Sequence, residues 1–379
     1  MTLVVQTRNR ATPMILGDLL VTTGSPGRSI ILPAVGIDIT GVPGIPRVIG
    51  LVQKVYILAD NVCIAFTSND SREIRNLLED FRPFCSAGLP PDEIRKRVEE
   101  YDYAGFSNSA FLMTIVDNNG GGTATDPNVI ELVKGQGFIS KQGNCFRDYR
   151  PAGSATTDFA SMVDEKREIF GSFPDSDYRQ GIVRNVAFAA RFLADERYFL
   201  RTLQSSWGGG FELVFYNGQR FQKLDNFAIV LQRGKFIDQG NVNIESPSMI
   251  NHYRYYGDDL IITAIEMYDA SPRTEGDYTV WTSKSLRVSA ITVPQLKRGV
   301  CQFGSAYHPI ESFETCQVGM GFAVEFGSHW FKPGFYNGNR MLSLVYSHAG
   351  RRADLRIHRS TQRFVLDIFR SAFAKASKS

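Results

Sequence analysis

Met1-Thr2-Leu3-Val4-Val5-Gln6-Thr7, then Arg8-Asn9-Arg10, then Pro13-Met14-Ile15-Leu16-Gly17-Asp18: these first eighteen residues decide how the rest of the chain is read. The β-branched and apolar runs at 3–7 and 13–22, separated by a polar turn, predict two strands of a hairpin. Thr2 stands directly before the first of them. If Met1 is trimmed, which a small second residue permits, Thr2 becomes an amino terminus. It then carries both a hydroxyl nucleophile and an α-amine of pKa near ~8 that accepts the hydroxyl proton without any histidine. Threonine is also an ordinary second residue, so position alone does not assign it chemistry.

The other reactive residue types narrow the choice. All five histidines (His252, His308, His329, His348, His358) lie in the last third, so residues 1–251 cannot hold a Ser-His-Asp or Cys-His arrangement. Five cysteines, without a Cys-x-x-Cys pair, read as reduced thiols rather than zinc or redox ligands. No His, Cys or acidic cluster has metal-ligand spacing, and neither a metal nor a cofactor is expected. The 42 Lys+Arg against 39 Asp+Glu give no overall field for nucleic acid or an anionic membrane. Arg8 and Arg10 interrupt the apolar start, and no apolar run reaches the ~18 residues of a membrane span. A soluble, cytoplasmic protein is expected.

After a Gly/Pro-rich stretch at 24–50, read as a long ordered excursion, strand patterns return at 52–58 and 62–66. Helices follow from a cap around Ser68–Ser71, with Ile74, Leu77, Leu78 and Phe81 on one face, and from Pro90-Pro91 through Ile94 and Val98. Further strands are expected at 109–116, 129–133, 138–141 and 144–150, then helices over 156–170 and 181–203. A hairpin around Asn217-Gly218, with arms at 211–215 and 221–230, closes this region.

That order of strands and helices, with several residues in it, resembles the β-type subunits of the proteasome and the simpler bacterial proteasome-like peptidase, both N-terminal nucleophile hydrolases. The resemblance covers about residues 2–230. It implies an α+β fold, a four-layer αββα sandwich over residues 1–233, with 24–50 as an insertion. It also implies roles: Thr2 as nucleophile, Asp18 in Met-Ile-Leu-Gly-Asp, sixteen positions on, as the strand acid, and Lys54 as the cation near the next strand's start. Ser154 in Ala-Gly-Ser-Ala matches the serine that supports the nucleophile's amine, and Gly208-Gly209 matches a glycine pair. Lys54 would favour the alkoxide and depress the amine's pKa by like-charge repulsion, while Asp18 keeps Lys54 oriented.

Three departures accompany the match. Thr67-Ser68-Asn69 stands where the family has a glycine whose backbone N–H forms the oxyanion hole, so Ser68 would supply that N–H. No acid lies at Gln204-Ser205-Ser206, where a second one belongs. The 24–50 stretch is far longer than the family's connection. Two readings follow: a threonine-type peptidase or amidohydrolase acting on a peptide or amide in a homo-oligomeric ring, or a catalytically inactive proteasome-like scaffold or interaction protein.

Residues 234–379 lie beyond the resemblance and read as a β-rich C-terminal domain, a sandwich or barrel, which could meet a protein partner. Segments at 259–268, 277–282, 286–293, 321–326 and 341–346 alternate or run apolar between turns. The end, 360–377, reads as a basic amphipathic helix docking its phenylalanines, with Arg and Lys solvated. Nucleic acid and membrane surfaces are not expected partners.

Overall fold

The opening hairpin forms in the computed structural model, which describes residues 2–9, 12–22, 31–36, 39, 42–68, 70–117, 128–135, 149–153, 155–164, 178–238, 241–296, 305–306, 312–315, 317–326, 329–331, 334–337, 342–347, 352–359, 363, 366–367 and 369–370. Strands β1 (Val4–Asn9) and β2 (Thr12–Asp18) pair antiparallel, with Val4 opposite Gly17 and Thr7 opposite Met14. The chain leaves this sheet at Leu19, whose amide turns to the carbonyls of Gly208 and Gly210. A short β3 (Leu20–Thr22) pairs instead with β4 (Val48–Leu51), so the single strand expected over 13–22 is two. Within the 24–50 excursion, Leu32, Ala34, Val35 and Ile39 are buried in the largest core cluster.

Strands β5 (Val55–Ala59) and β6 (Val62–Ser68) lead into helices α1 (Ser71–Ser86) and α2 (Pro91–Glu100). The Asp70 carboxylate caps α1 by accepting the Arg72 amide at 2.8 Å. Two more strands, β7 (Ser109–Asp117) and β8 (Asn128–Lys134), complete a four-stranded sheet in sequence order. Alternation divides its faces. Tyr56, Ile64 and Phe66 pack with Leu77, Phe81 and Ile94 of the two helices. Val55, Cys63 and Ala65 pack with Val4, Ile15 and Val214 of the sheet that holds the hairpin.

That second sheet gains β9 (Tyr149–Ala152) beside β1. After α3 (Thr156–Asp164), α4 (Tyr178–Phe199) and the short α5 (Arg201–Gln204), it gains β10 (Phe211–Tyr216) beside β2 and β11 (Phe221–Lys223) at its edge. Leu200, with φ of 56°, separates α4 from α5, which breaks the helix expected over 181–203. The expected strands at 138–141 and most of 144–150 lie outside the described residues.

The chain as a whole is not a four-layer αββα sandwich with a β domain appended. The described residues are mostly strand, with few helices, in several antiparallel sheets. The strand β12 (Phe227–Asp238) runs through the 233/234 point. With β13 (Asn241–Tyr256) and β14 (Asp259–Tyr268), β12 builds the centre of an eight-stranded sheet. Phe227, Ile229, Tyr253 and Ile262 of this sheet share one core with Leu3, Leu16, Leu19 and Leu213. Helix α4 packs against β2 and β10 and also against β12 and the strand Gln317–Phe326. The physical reason is that an internal helix with apolar residues around much of its circumference, including Val186, Phe188, Ala190, Phe192 and Leu193, needs cover on more than one side.

A five-stranded sheet that includes Tyr278–Ser283, Leu342–Ser347 and Arg352–His358 covers the far face of the eight-stranded sheet. Most of 360–377 lies outside the described residues, but Phe369 within it is buried against Phe236 and Phe322. Among the described residues, no helix is long and apolar enough to cross a membrane.

Candidate functional site

Thr2 lies two residues before the start of β1 and is 4% exposed. Its carbonyl packs on Gly153, which follows β9 with φ of +94°; a Cβ there would lie 1.9 Å from the Thr2 oxygen. Only glycine tolerates both that approach and that backbone angle. Ser154, the expected support of the amine, lies outside the described residues, as does Met1.

Asp18, at the end of β2, is fully buried and accepts three hydrogen bonds. Its Oδ1 takes the Leu3 amide at 2.8 Å and the Lys54 ammonium at 2.7 Å, and its Oδ2 takes the Gly208 amide at 3.0 Å. Lys54 Nζ also donates to the Leu20 carbonyl at 2.7 Å. Burial pulls the Lys54 pKa down; the Asp18 carboxylate, by charge and hydrogen bond, and Glu212, by charge, oppose this. A depressed ammonium held by one carboxylate is suited to stabilising a developing negative charge, since little water competes for it.

Thr2, Lys54 and Ser68 border a single cavity of about 280 Å³. Ser68 ends β6 opposite Ser109, keeps strand geometry, and its Oγ both accepts the Asp70 amide and donates to the Asp70 carbonyl, each at 2.8 Å. The left-handed backbone that a serine resists is therefore absent at this position; among the described non-glycine residues it occurs at Leu200, Ser206, Asn226 and Asp269. The fold thus brings Thr2, Lys54 and Ser68 to one space, with Asp18 behind Lys54.

Two carboxylates that sequence reasoning passed over hold this frame. Glu212, 1% exposed near the start of β10, accepts the amides of Lys54 and Val55 and the Lys223 ammonium. It fixes the backbone that carries Lys54. Its signal was a lone acid inside the apolar run Phe-Glu-Leu-Val-Phe-Tyr, since a buried charge needs partners.

Glu196, fully buried on α4, accepts the Gly209 amide at 2.8 Å and the Thr202 hydroxyl at 3.3 Å. Burial, with Asp18 and Asp195 adding to it, raises its pKa to about 8. The run Gly208-Gly209-Gly210 therefore offers successive amides to Asp18 and Glu196. All three residues have positive φ, and a Cβ on Gly208 would lie 2.1 Å from Glu196 Oε2. No acid occupies 204–206; Ser206 there adopts φ of 64°.

Among the described residues, no group of three or more His, Cys, Asp or Glu side chains could hold a metal ion. His358 packs edge-on against Tyr278, and His252 bonds Asn226; neither is among the residues that line the Thr2 cavity. Comparison with protein-family models and with curated protein sequences finds no match for this chain.

Proposed function

We propose that this chain is an N-terminal threonine hydrolase that cleaves an amide or peptide bond through Thr2 Oγ once the Met1–Thr2 bond has been cut. The observation that carries this reading is the shared border of one cavity by Thr2, Lys54 and Ser68, with Lys54 locked by a buried Asp18. The Thr2 α-amine takes the hydroxyl proton as Oγ attacks the carbonyl carbon. The tetrahedral oxyanion meets the backbone N–H at Ser68, and the amine leaving group departs with the proton from the α-ammonium. Water, deprotonated by the same amine, then hydrolyses the ester and frees Thr2. Lys54 contributes charge and Asp18 contributes orientation; neither forms a bond to substrate.

With this reading go a cytoplasmic location, consistent with the free thiols of Cys63 and Cys85, assembly as a homo-oligomer, a ring by the resemblance, and a protein partner for the C-terminal strands. Intact-mass measurement before and after incubation with a small β-lactone tests it. Loss of Met1 and one covalent adduct mapped to Thr2, absent in Thr2→Ala, are expected. A chain that keeps Met1, or that loses it and still fails to react, is instead the inactive scaffold.

A further inference from the structure

Among the described residues that line the cavity beside Thr2, one side chain is charged, Lys54, and that charge is already matched by Asp18 at 2.7 Å and turned onto the Leu20 carbonyl. Its other walls include Val21, Ile49, Val52, Ile74 and Leu296. At about 280 Å³ it sits at the lower edge of the roughly 300–1,000 Å³ of small-molecule sites, which suits one side chain rather than a whole ligand.

Leu296 comes from a remote part of the chain. It follows the strand Ser285–Val293 of the eight-stranded sheet and is strapped to the cavity's rim. Its amide donates to Tyr56 Oη at 3.0 Å, Tyr56 Oη donates to the Gln53 carbonyl at 2.8 Å, and the Gln53 amide donates to the Pro294 carbonyl at 3.1 Å. The Gln53 side chain adds bonds to the carbonyls of Val293 at 2.8 Å and Asp258 at 2.7 Å. Leu296 itself packs against the core cluster that holds Tyr56, Phe66 and Ile74. The residue beside Lys54 thus clamps the eight-stranded sheet to the cavity at a fixed distance.

We infer that Leu296 is a specificity-determining residue, and that the site takes substrates whose acyl residue carries an uncharged apolar side chain. The inference rests on the threonine-hydrolase reading above. A carboxylate or ammonium entering this space would lose its hydration and find no unmatched counter-charge among the described lining residues.

The test uses the full-length chain lacking Met1 and four peptide epoxyketones that differ only in the residue next to the warhead (Leu, Phe, Glu or Lys), together with a side-chain-free β-lactone. Rates of Thr2 modification are read by intact mass. The Leu probe is expected to react at least tenfold faster than the Glu and Lys probes. Leu296→Arg should move the Leu/Glu ratio at least tenfold toward Glu, and Leu296→Ala, the milder change, should favour a Phe probe over Leu. A Leu/Glu ratio near one in the wild type, or a ratio that neither variant moves, overturns the inference while β-lactone labelling leaves the hydrolase reading intact. If no probe, the β-lactone included, modifies Thr2, both fall together.

Discussion

The Lys54 ammonium and the Asp18 carboxylate meet at 2.7 Å, with side-chain exposures of 9% and 0%. Removing one charge from such a pair leaves the other buried and unmatched, which costs about 3–5 kcal/mol. Asp18→Asn keeps the shape and still accepts one amide, yet it strands the Lys54 charge. Its urea unfolding midpoint should fall by an amount equivalent to about 3 kcal/mol, with Thr2 labelling lost as well. A variant as stable as the wild type would mean that Lys54 is neutral in the fold.

Gly153 tests the placement of Thr2 without touching any charged group. Gly153→Ala must relieve both a +94° φ and a Cβ at 1.9 Å from the Thr2 oxygen, and backbone is the atom in the way. We expect a loss of at least ~2 kcal/mol from strain and displacement. The larger consequence is that Thr2 moves out of line with Lys54. Thermal melts measure the first effect and β-lactone labelling of the variant at a temperature where it is folded measures the second. Unchanged labelling would show that the Thr2 backbone need not stay against Gly153.

What was legible in the sequence was local. The apolar and β-branched runs at 3–7 and 13–22 marked the hairpin, and the polar run Ser68–Ser71 marked the helix cap, which Asp70 makes. Asp18 and Lys54 were nominated together and meet in a buried ion pair. What was not legible depended on partners distant in sequence. Glu196 and Glu212 look like isolated acids until the fold brings the Gly209 and Lys54 amides to them. Leu296 has no local feature that announces a cavity.

The 233/234 boundary was placed where the resemblance ends, and a continuous strand, β12, crosses it. The β12–β13 register shifts around Gln232 and Gly234, so the glycine marks an irregularity inside that strand. The strand β13 was missed because Asn241–Ser246 is half exposed and polar, which hides the apolar second half's membership in the same element.

Glu196 makes stability fall as pH rises. Its folded pKa of about 8 lies above the ordinary 4.5, so the unfolded chain releases its proton first. Below about 4.5 both states are neutral at this site and the cost is absent. Through the interval up to about 8 the folded state must hold the proton that the unfolded state gives up. Glu196→Gln removes the titration while an amide oxygen still accepts the Gly209 N–H. Relative to the wild type, the variant should gain about 2–3 kcal/mol between pH 5 and pH 7 in urea unfolding. A difference that stays flat across that range would show that Glu196 ionises normally in the fold.

His252 predicts the opposite slope at lower pH. The imidazole, 1% exposed on β13, bonds Asn226 Oδ1 through Nε2 at 2.8 Å, a geometry in which neutral histidine donates. Burial first, and the Arg254 charge second, depress its pKa from 6.5 to about 3. The unfolded chain therefore takes up a proton as pH falls through 6.5 while the folded chain does not, and stability is lost progressively down to about pH 3. At pH 5 the loss attributable to this one group is about 2 kcal/mol. His252→Gln retains an Nε2 donor to Asn226 and carries no titrating proton, so its stability relative to wild type should improve by about that amount between pH 7.5 and pH 5. Urea titrations of both proteins at the two pH values decide it, because the carboxylates that titrate in the same range are common to both and cancel in the difference. An NMR titration of the His252 ring is the direct check: a midpoint near 6.5 in the folded protein would place the imidazole in contact with solvent and sink the prediction.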